Sequence, residues 1–495
     1  MAEPAPHSFE PYLKARAADP WSSDPLLQAW VRRSKPAARE LDWIKGWARE
    51  TAGPWAARAD EAEQRENLPR IAGKGAHGED RQQVILPAGT VATLGEVHGS
   101  VLWHAELDDR LRYAAVYLLN QNGEAGVACS VACTDGLVRV VRKQKGHDAL
   151  AKRLRSMAAD RWMHGAQFVT EAQGGSDAGT NLVRAEPNGD GSFALHGLKW
   201  FCSNPTADWW LVTARPMGAQ PGSKGVGLFL VESVAGGWSF ERLKDKVGTR
   251  ALATAEVRFH GARARPVGPL GEGLRTMVAD VLVPSRIHNI VAVAAFLRRA
   301  QREASAYAAF RTAFGKRLEE QPLLADALAR LREAADRAEA GAFATVDAWL
   351  ASLAPKAKSD QILLVRVLVS LHKAVATRRA PSLLHEAMSV LGGNGIEERF
   401  SVLPRLWRDS VILETWEGPY TLLLAQALGD LRRGGTAGHE ASFVKGWLGK
   451  VDAELAKELA AVLAGGDDRK AMLRWRELAH RLVEAWEERA LAALQ

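Results

Sequence analysis

Cysteine is scarce, with only Cys129, Cys133 and Cys202 in 495 residues. An odd count without metal-type spacing excludes a disulfide framework and fits a reducing, cytoplasmic setting. The thirteen histidines are scattered and form no His-Glu-x-x-His arrangement, so no catalytic metal is expected. The most apolar helical stretch, Ile362 to Ala376, is interrupted by Arg366 and His372, which argues against a membrane span. Met1 to His7 lack a charged start followed by an apolar run, so no secretory signal is expected there. Neither sign of charge dominates: Lys+Arg 65 against Asp+Glu 58 gives a formal net charge of +7. Such a surface attracts anions, small phosphate esters or nucleic acid alike, and is by itself weak grounds for nucleic acid.

A chain of this length buries a substantial core and divides into two to four domains. From Asp24 to Met163 apolar and Trp positions recur at three and four residues, as in Trp43 and Trp47, then Leu111, Ala115, Leu118 and Leu119. That period predicts helices with the tryptophans packed inside. Gly, Pro and charged residues between Pro69 and Thr93 predict a long loop. After Ala166 the period turns to alternation. Ser192 to Phe201, Trp209 to Ala214, Val226 to Val231 and Thr254 to Phe259 read as strands of a β domain, separated by Gly- and Pro-containing turns.

Beyond Gly273 helical patterns return through Leu431, punctuated at Pro322, Pro355, Pro381 and Gly392-Gly393, and predict four or five antiparallel helices. A Gly-rich break from Gly434 to Gly438 leads into two further amphipathic helices, with stripes Leu455, Leu459, Val462 and Leu478, Leu482, Trp486. This near-neutral tail is a poor nucleic-acid arm and a better packing or oligomerisation appendage. The fold class is α+β, mostly α. Its expected parts are an N-terminal helical domain (1–165), a central β-barrel domain (166–272), a C-terminal helical bundle (273–433) and a helical tail (434–495).

Two segments read as a cofactor shelf: Phe168-Val169-Thr170-Glu171-Ala172-Gln173-Gly174-Gly175-Ser176-Asp177 and Gly197-Leu198-Lys199-Trp200-Phe201-Cys202-Ser203-Asn204. The glycines let backbone N–H groups approach an anion, Thr170, Ser176 and Ser203 offer hydroxyls, and Phe201 offers a flat face. The pair resembles the two signatures with which the FAD-containing acyl-CoA dehydrogenases hold the flavin ring and its diphosphate. The order helices, β domain, helical bundle is also that family's, over roughly residues 100–431.

A later cluster runs Leu403-Pro404-Arg405-Leu406-Trp407-Arg408-Asp409, then Leu413-Glu414-Thr415-Trp416-Glu417-Gly418-Pro419. It looks like the family's segment in which the glutamate before glycine is the catalytic base. The resemblance therefore assigns that role to Glu417, taken alone an ordinary polar residue at a helix start. The expected chemistry is α,β-desaturation of an acyl thioester, and it needs a carboxylate in a mostly apolar pocket. Arg286, in Val283-Pro284-Ser285-Arg286, falls where the family often carries an arginine near that carboxylate. Arg311 and Phe314, in Phe310-Arg311-Thr312-Ala313-Phe314-Gly315-Lys316, resemble the box that reaches the FAD diphosphate of a neighbouring subunit. Gly392 and Gly393 resemble the segment that contacts its adenosine half. By resemblance the cofactor set is thus Phe168, Thr170, Gly175, Ser176, Phe201, Ser203, Arg311, Phe314, Gly392 and Gly393. The implied partners are an acyl-CoA, an acceptor such as an electron-transfer flavoprotein, and further copies of the chain in a homo-oligomer, a tetramer.

The chain also departs from the pattern. Phe201 replaces a frequent Trp, Ser389 a glutamine before Gly-Gly, Pro419 a Thr or Ser after Glu-Gly, and Val283 a frequent acidic residue beside the CoA arm. These departures and the run Phe314 to Leu323 are similar to the AidB-like branch of the family, flavoproteins of the adaptive response to alkylation that also bind duplex DNA. The alternative reading is therefore a flavoprotein of that kind with little acyl-CoA turnover. Its DNA contacts would come from basic clusters such as Arg139, Arg142, Lys143 and Lys145, or Arg298, Arg299 and Arg302, which solvated helix faces explain equally well.

Overall fold

The computed structural model describes residues 8–466 and 468–495; residues 1–7, which bear on a secretory signal, lie outside the described residues. Among those described, eight helices open the chain: α1 (Glu10–Arg16), α2 (Pro25–Arg32), α3 (Ala38–Ala52), α4 (Pro54–Ala62), α5 (Ala88–His98), α6 (Asp109–Asn120), α7 (Ala125–Lys143) and α8 (Asp148–Leu154). Asp24, Asp108 and Glu124 cap α2, α6 and α7 by accepting first-turn N–H groups. The tryptophans are core, as expected. Trp47 donates to the carbonyl of Ala115 at 2.9 Å, and Trp30 stacks on Phe343 with centroids 4.2 Å apart.

The expected loop between Pro69 and Thr93 is shorter and more ordered than its composition suggests. Arg70–Ile71 (β1) pairs with Val84–Ile85 (β2), and α5 starts directly after Pro87. Val84 enters the core of the β domain, and Gln82 Oε1 accepts from the N–H of Phe240 at 2.6 Å. The segment is a flap over the barrel, held by side chains far away in sequence.

That barrel comprises β3 (Gly165–Phe168), β4 (Arg184–Pro187), β5 (Phe193–Ser203), β6 (Trp209–Pro216), β7 (Gly227–Glu232), β8 (Trp238–Leu243) and β9 (Thr254–Pro266). β6 pairs with β7, β7 with β9, β9 with β5, β5 with β4 and β4 with β6, so five strands close on themselves. β3 flanks β6 and β8 flanks β9. The four expected strands are all present, and three more accompany them. Inside pack Phe168, Trp210, Phe229 and Phe259.

A buried ion pair locks the two shelf segments to each other. Lys199, fully buried on β5, donates to Glu171 Oε1 at 2.7 Å, to the carbonyl of Val169 at 3.0 Å and to Thr213 Oγ1 at 3.0 Å. Glu171 in turn accepts from the N–H groups of Leu182 (2.6 Å) and Val183 (3.2 Å). Burial opposes its ionisation, yet the Lys199 ammonium and these hydrogen bonds prevail and hold its carboxyl below the usual range.

The bundle follows: α9 (Gly273–Met277), a π-helical turn Val278–Leu282, α10 (Val283–Phe310), a two-residue hairpin of β10 (Thr312–Ala313) and β11 (Lys316–Arg317), α11 (Pro322–Ser352), α12 (Ser359–Val390), α13 (Leu403–Thr415) and α14 (Tyr420–Arg433). By length and composition, one helical stretch among the described residues, Leu270–Phe310, could cross a membrane, and 89% of its apolar window is buried inside the protein. This is not the stretch read from sequence as the most apolar, Ile362–Ala376, which lies in α12. Pro381 does not end a helix: α12 runs through it, its packing against α10 and α13 tolerating one lost hydrogen bond.

The tail forms three helices rather than two, α15 (Glu440–Leu448), α16 (Ala453–Ala464) and α17 (Arg469–Leu494). Leu455, Leu459, Leu478 and Leu482 join one cluster with Val367, Leu368 and Leu371 of α12. The backbone of α17 approaches α11 so closely that a Cβ on Gly341 would lie 2.6 Å from Glu487 Cγ. Glu487 is buried against Arg379 and His372, and Trp486 donates to the carbonyl of Gly341 at 3.2 Å. The tail is a packed layer of the bundle.

Replacing Lys199 with Met leaves Glu171 charged, buried and without its ammonium, which costs about 3–5 kcal/mol. Urea unfolding checks this, and adding Glu171→Gln is expected to recover part of the loss.

Candidate active site

A cavity of about 1190 Å³ lies between the barrel, α7, α10 and the segment joining α13 to α14. The barrel wall contributes Thr170, Gly175, Ser176, Phe201, Ser203 and Thr254, and the opposite wall contributes Ser285, Arg286, Trp416 and Glu417. Strand and motif thus meet at one place.

Glu417 sits in the turn between α13 and α14 with φ +56, a left-handed conformation that costs a non-glycine residue about 1–3 kcal/mol. Buried cations hold that turn. Arg286 Nε donates to the carbonyl of Glu417 at 2.9 Å, with its other nitrogens on Ser370 Oγ (3.3 Å) and Gln426 Oε1 (3.2 Å). Lys373 Nζ donates to the carbonyls of Gly418 (2.8 Å) and Glu414 (3.2 Å). Gly418 follows with φ +109, where a Cβ would lie 2.9 Å from Leu423 Cδ2. Only glycine fits there.

The carboxylate itself opens on the cavity. Ser285 Oγ donates to Glu417 Oε1 at 3.1 Å, and Gln167 Nε2 lies 3.4 Å from the same oxygen. Burial pushes the Glu417 carboxyl up, against the Ser285 hydrogen bond and the charges of Arg286 and Lys373. Burial likewise pushes Lys373 down to about 7, against the Glu417 carboxylate. Among the described residues nothing accepts from the N–H of Glu417, which leaves it available to an oxygen in the cavity.

The expected site residues divide by place. Thr170, Gly175, Ser176, Phe201 and Ser203 line the cavity, with Phe201 half exposed on the barrel wall. Phe168 does not: strand alternation turns Gln167 and Val169 to the cavity and buries Phe168 in the barrel against Trp210, so its side chain cannot touch a ligand there. Arg286 reaches the backbone of Glu417 rather than its carboxylate. Arg311 and Phe314 lie at the far end of α10, exposed, the latter at the tip of the β10–β11 hairpin. Gly392 and Gly393 are exposed beside them, since Asn394 Nδ2 donates to Tyr307 OH at 3.0 Å. These four share one surface and do not line the chain's own cavity.

Three neighbours of the carboxylate were not assigned from sequence. Gln167 and Ser285 carry no distinctive pattern. Lys373 had a signal, a lysine inside the apolar run from Ile362 to Ala376.

The basic clusters singled out in the sequence are largely consumed internally. Arg298 pairs with Asp336 at 2.6 Å and Glu339 at 2.7 Å, Arg299 with Glu303 at 3.6 Å, Arg139 with Asp135 at 2.9 Å and Lys143 with Asp280. Arg302 donates to Gln121 Oε1 at 3.1 Å.

Residues 166–262 match the family model for the middle domain of acyl-CoA dehydrogenases, and 271–427 that for the C-terminal domain. Acyl-CoA dehydrogenase family member 11 of Caenorhabditis elegans is 30% identical over 336 residues, 64% of this chain and 54% of the relative. AidB of Escherichia coli (strain K12) is 35% identical over 260 residues, 52% of this chain and 47% of the relative. The matches thus span about half the length of these relatives. Among solved structures, Bd2924 in its apo form superposes with a TM-score of 0.87 at 26% identity, covering 96% of this chain and 98% of that one. Caenorhabditis elegans ACDH-11 in complex with C11-CoA gives 0.82 at 23% identity, covering 95% and 87%, and speaks to the fold alone.

Gly418→Ala forces a side chain into a glycine-only conformation and is expected to cost about 1–3 kcal/mol. Denaturant unfolding measures it; an unchanged midpoint would contradict the strained geometry.

Proposed function

The chain belongs to the acyl-CoA dehydrogenase family, and from that premise we propose that it is an FAD-dependent enzyme that desaturates an acyl thioester between its α and β carbons, with Glu417 as the base. The observation that carries this reading is the placement of the Glu417 carboxylate in the same cavity as a wall of hydroxyls and an exposed ring.

The cavity wall suits a flavin. Phe201 presents its face, and Thr170, Ser176, Ser203 and Thr254 present hydroxyls. Gly175 sits so close to Thr170 that a Cβ would come within 2.4 Å of its Oγ1. These residues would hold the ring and the near end of the diphosphate. When bound, FAD supplies a hydride acceptor for the β-carbon, and the electrons leave to a carrier such as an electron-transfer flavoprotein.

The remaining work belongs to side chains of this protein. Glu417 takes the α-proton on its carboxylate, made more basic by burial, while Ser285 fixes which oxygen faces the thioester. The free N–H of Glu417 is positioned to bond the thioester oxygen as negative charge develops on it. Arg286 and Lys373 are positioning residues that keep the turn in its strained shape. Apolar residues of α7 and α13, Ala128, Ala132, Ile412 and Leu413, exclude water from the chain of the substrate.

Purified protein should be yellow and release FAD on denaturation; a colourless protein that cannot be reconstituted removes the cofactor. Glu417→Gln is expected to keep the flavin and lower anaerobic bleaching by an acyl-CoA at least about a thousandfold, as for an interaction made only in the transition state. Because the base must be ionised and its pKa is raised, bleaching should fall as pH drops through a value above the ordinary carboxylate range. An acid limb at or below that range would refute the burial argument. Arg286→Lys keeps the charge but cannot span Glu417, Ser370 and Gln426 together. It should slow bleaching roughly a hundredfold while leaving that acid limb near its place.

A further inference from the structure

The geometry points to Cys129 and Cys133 as a dithiol site for a trivalent arsenical, a monosubstituted arsonous acid R–As(OH)2, set in the α7 wall of the cavity.

The two cysteines stand four residues apart on α7, so helical spacing puts them on one face, a turn apart. Ala125, Ala128 and Ala132 share that face, and all five residues line the cavity. Leu252 and Trp416 complete the apolar cluster around the pair. Both thiols are free, with their sulfurs 3.8 Å apart. Cys129 retains 9% exposure and Cys133 4%. The third cysteine, Cys202, is buried in the barrel core and does not line the cavity.

This spacing decides what the pair can hold. A disulfide needs Cβ atoms within about 4.5 Å, whereas residues at i and i+4 of a helix keep theirs about 5–6 Å apart, so the helix resists closing the pair on itself. A single bridging atom with bonds of about 2.3 Å to each sulfur, the length of a zinc thiolate, holds sulfurs about 3.3–3.8 Å apart for bond angles from a right angle to tetrahedral. The observed separation falls at the upper edge of that range. A zinc ion needs four ligands, and no group of three or more His, Cys, Asp or Glu side chains among the described residues could hold a metal. A trivalent arsenical asks for two ligands alone, since its third bond is to its own carbon. The reaction is a condensation: two As–O and two S–H bonds break, two As–S bonds form, each thiol proton leaves with a hydroxyl as water, and arsenic stays trivalent. The contact with Cys129 and burial keep Cys133 a thiol, the form this condensation consumes.

The test treats the FAD-loaded full chain with phenylarsine oxide, which hydrates to phenylarsonous acid. Native mass spectrometry should show one phenylarsenic group per chain with two hydrogens lost, and peptide mapping should place it across Cys129 and Cys133. Because the second sulfur adds within one molecule, Cys129→Ser or Cys133→Ser is expected to weaken retention about a hundredfold or more. Cys202→Ala should leave it unchanged. Retained FAD in each variant separates loss of the site from misfolding, and dimercaptopropanol, a competing dithiol, should strip the adduct where mercaptoethanol does not. No adduct on the native chain, undiminished retention in either serine variant, or an adduct on Cys202 overturns the proposal. Octanoyl-CoA bound beforehand at ten times its Kd should slow adduct formation about tenfold, and no protection would overturn the placement of the pair in the path of the substrate. An arsenical held by the pair in a protein that no acyl-CoA bleaches would overturn the desaturase reading and leave the dithiol site standing.

Discussion

The site depends on a turn that would not hold its shape alone. Glu417 and Gly418 both have positive φ, and the carbonyls they expose, with that of Glu414, are gripped by Arg286 and Lys373. Two buried cations thereby do what a regular helix does elsewhere: they give inward-facing carbonyls donors. Their charges also reach Glu417, so the groups that fix the carboxylate's position temper the rise in its pKa caused by burial. Position and basicity are coupled through the same two side chains.

The same device recurs across the cavity. Lys199 ties Glu171 and the carbonyl of Val169 together beneath the barrel wall, so the strand carrying Phe201 and the turn carrying Thr170 and Gly175 move as one body. Rigid walls built this way allow an open cavity to keep its form. Among the described residues the N–H of Glu417 is left without an acceptor there.

Much of this was legible in the chain because it is written in local patterns. Alternation located four strands, and helical spacing placed the tryptophans and the stripes of the tail in the core. The resemblance of Trp416-Glu417-Gly418 and of the two shelf segments to family signatures brought distant residues to one site. What was missed was set by tertiary contacts. Pro381 reads as a break until α10 and α13 are packed around it, and β3 and β4 are four residues long, too short to show a period. Phe168 belongs to the motif but faces the barrel core, because pleating, not motif membership, decides which face a side chain takes. Lys373 went unassigned because its meaning lies in carbonyls some forty residues away in sequence.

The central claim is that Glu417 removes the proton next to the thioester carbonyl. The most direct measurement is α-carbon exchange: an acyl-CoA incubated anaerobically with the protein in D₂O and examined by mass spectrometry. Deuterium should enter the α position with the native protein and not with Glu417→Gln. Exchange that continues undiminished in the variant would mean that another group is the base.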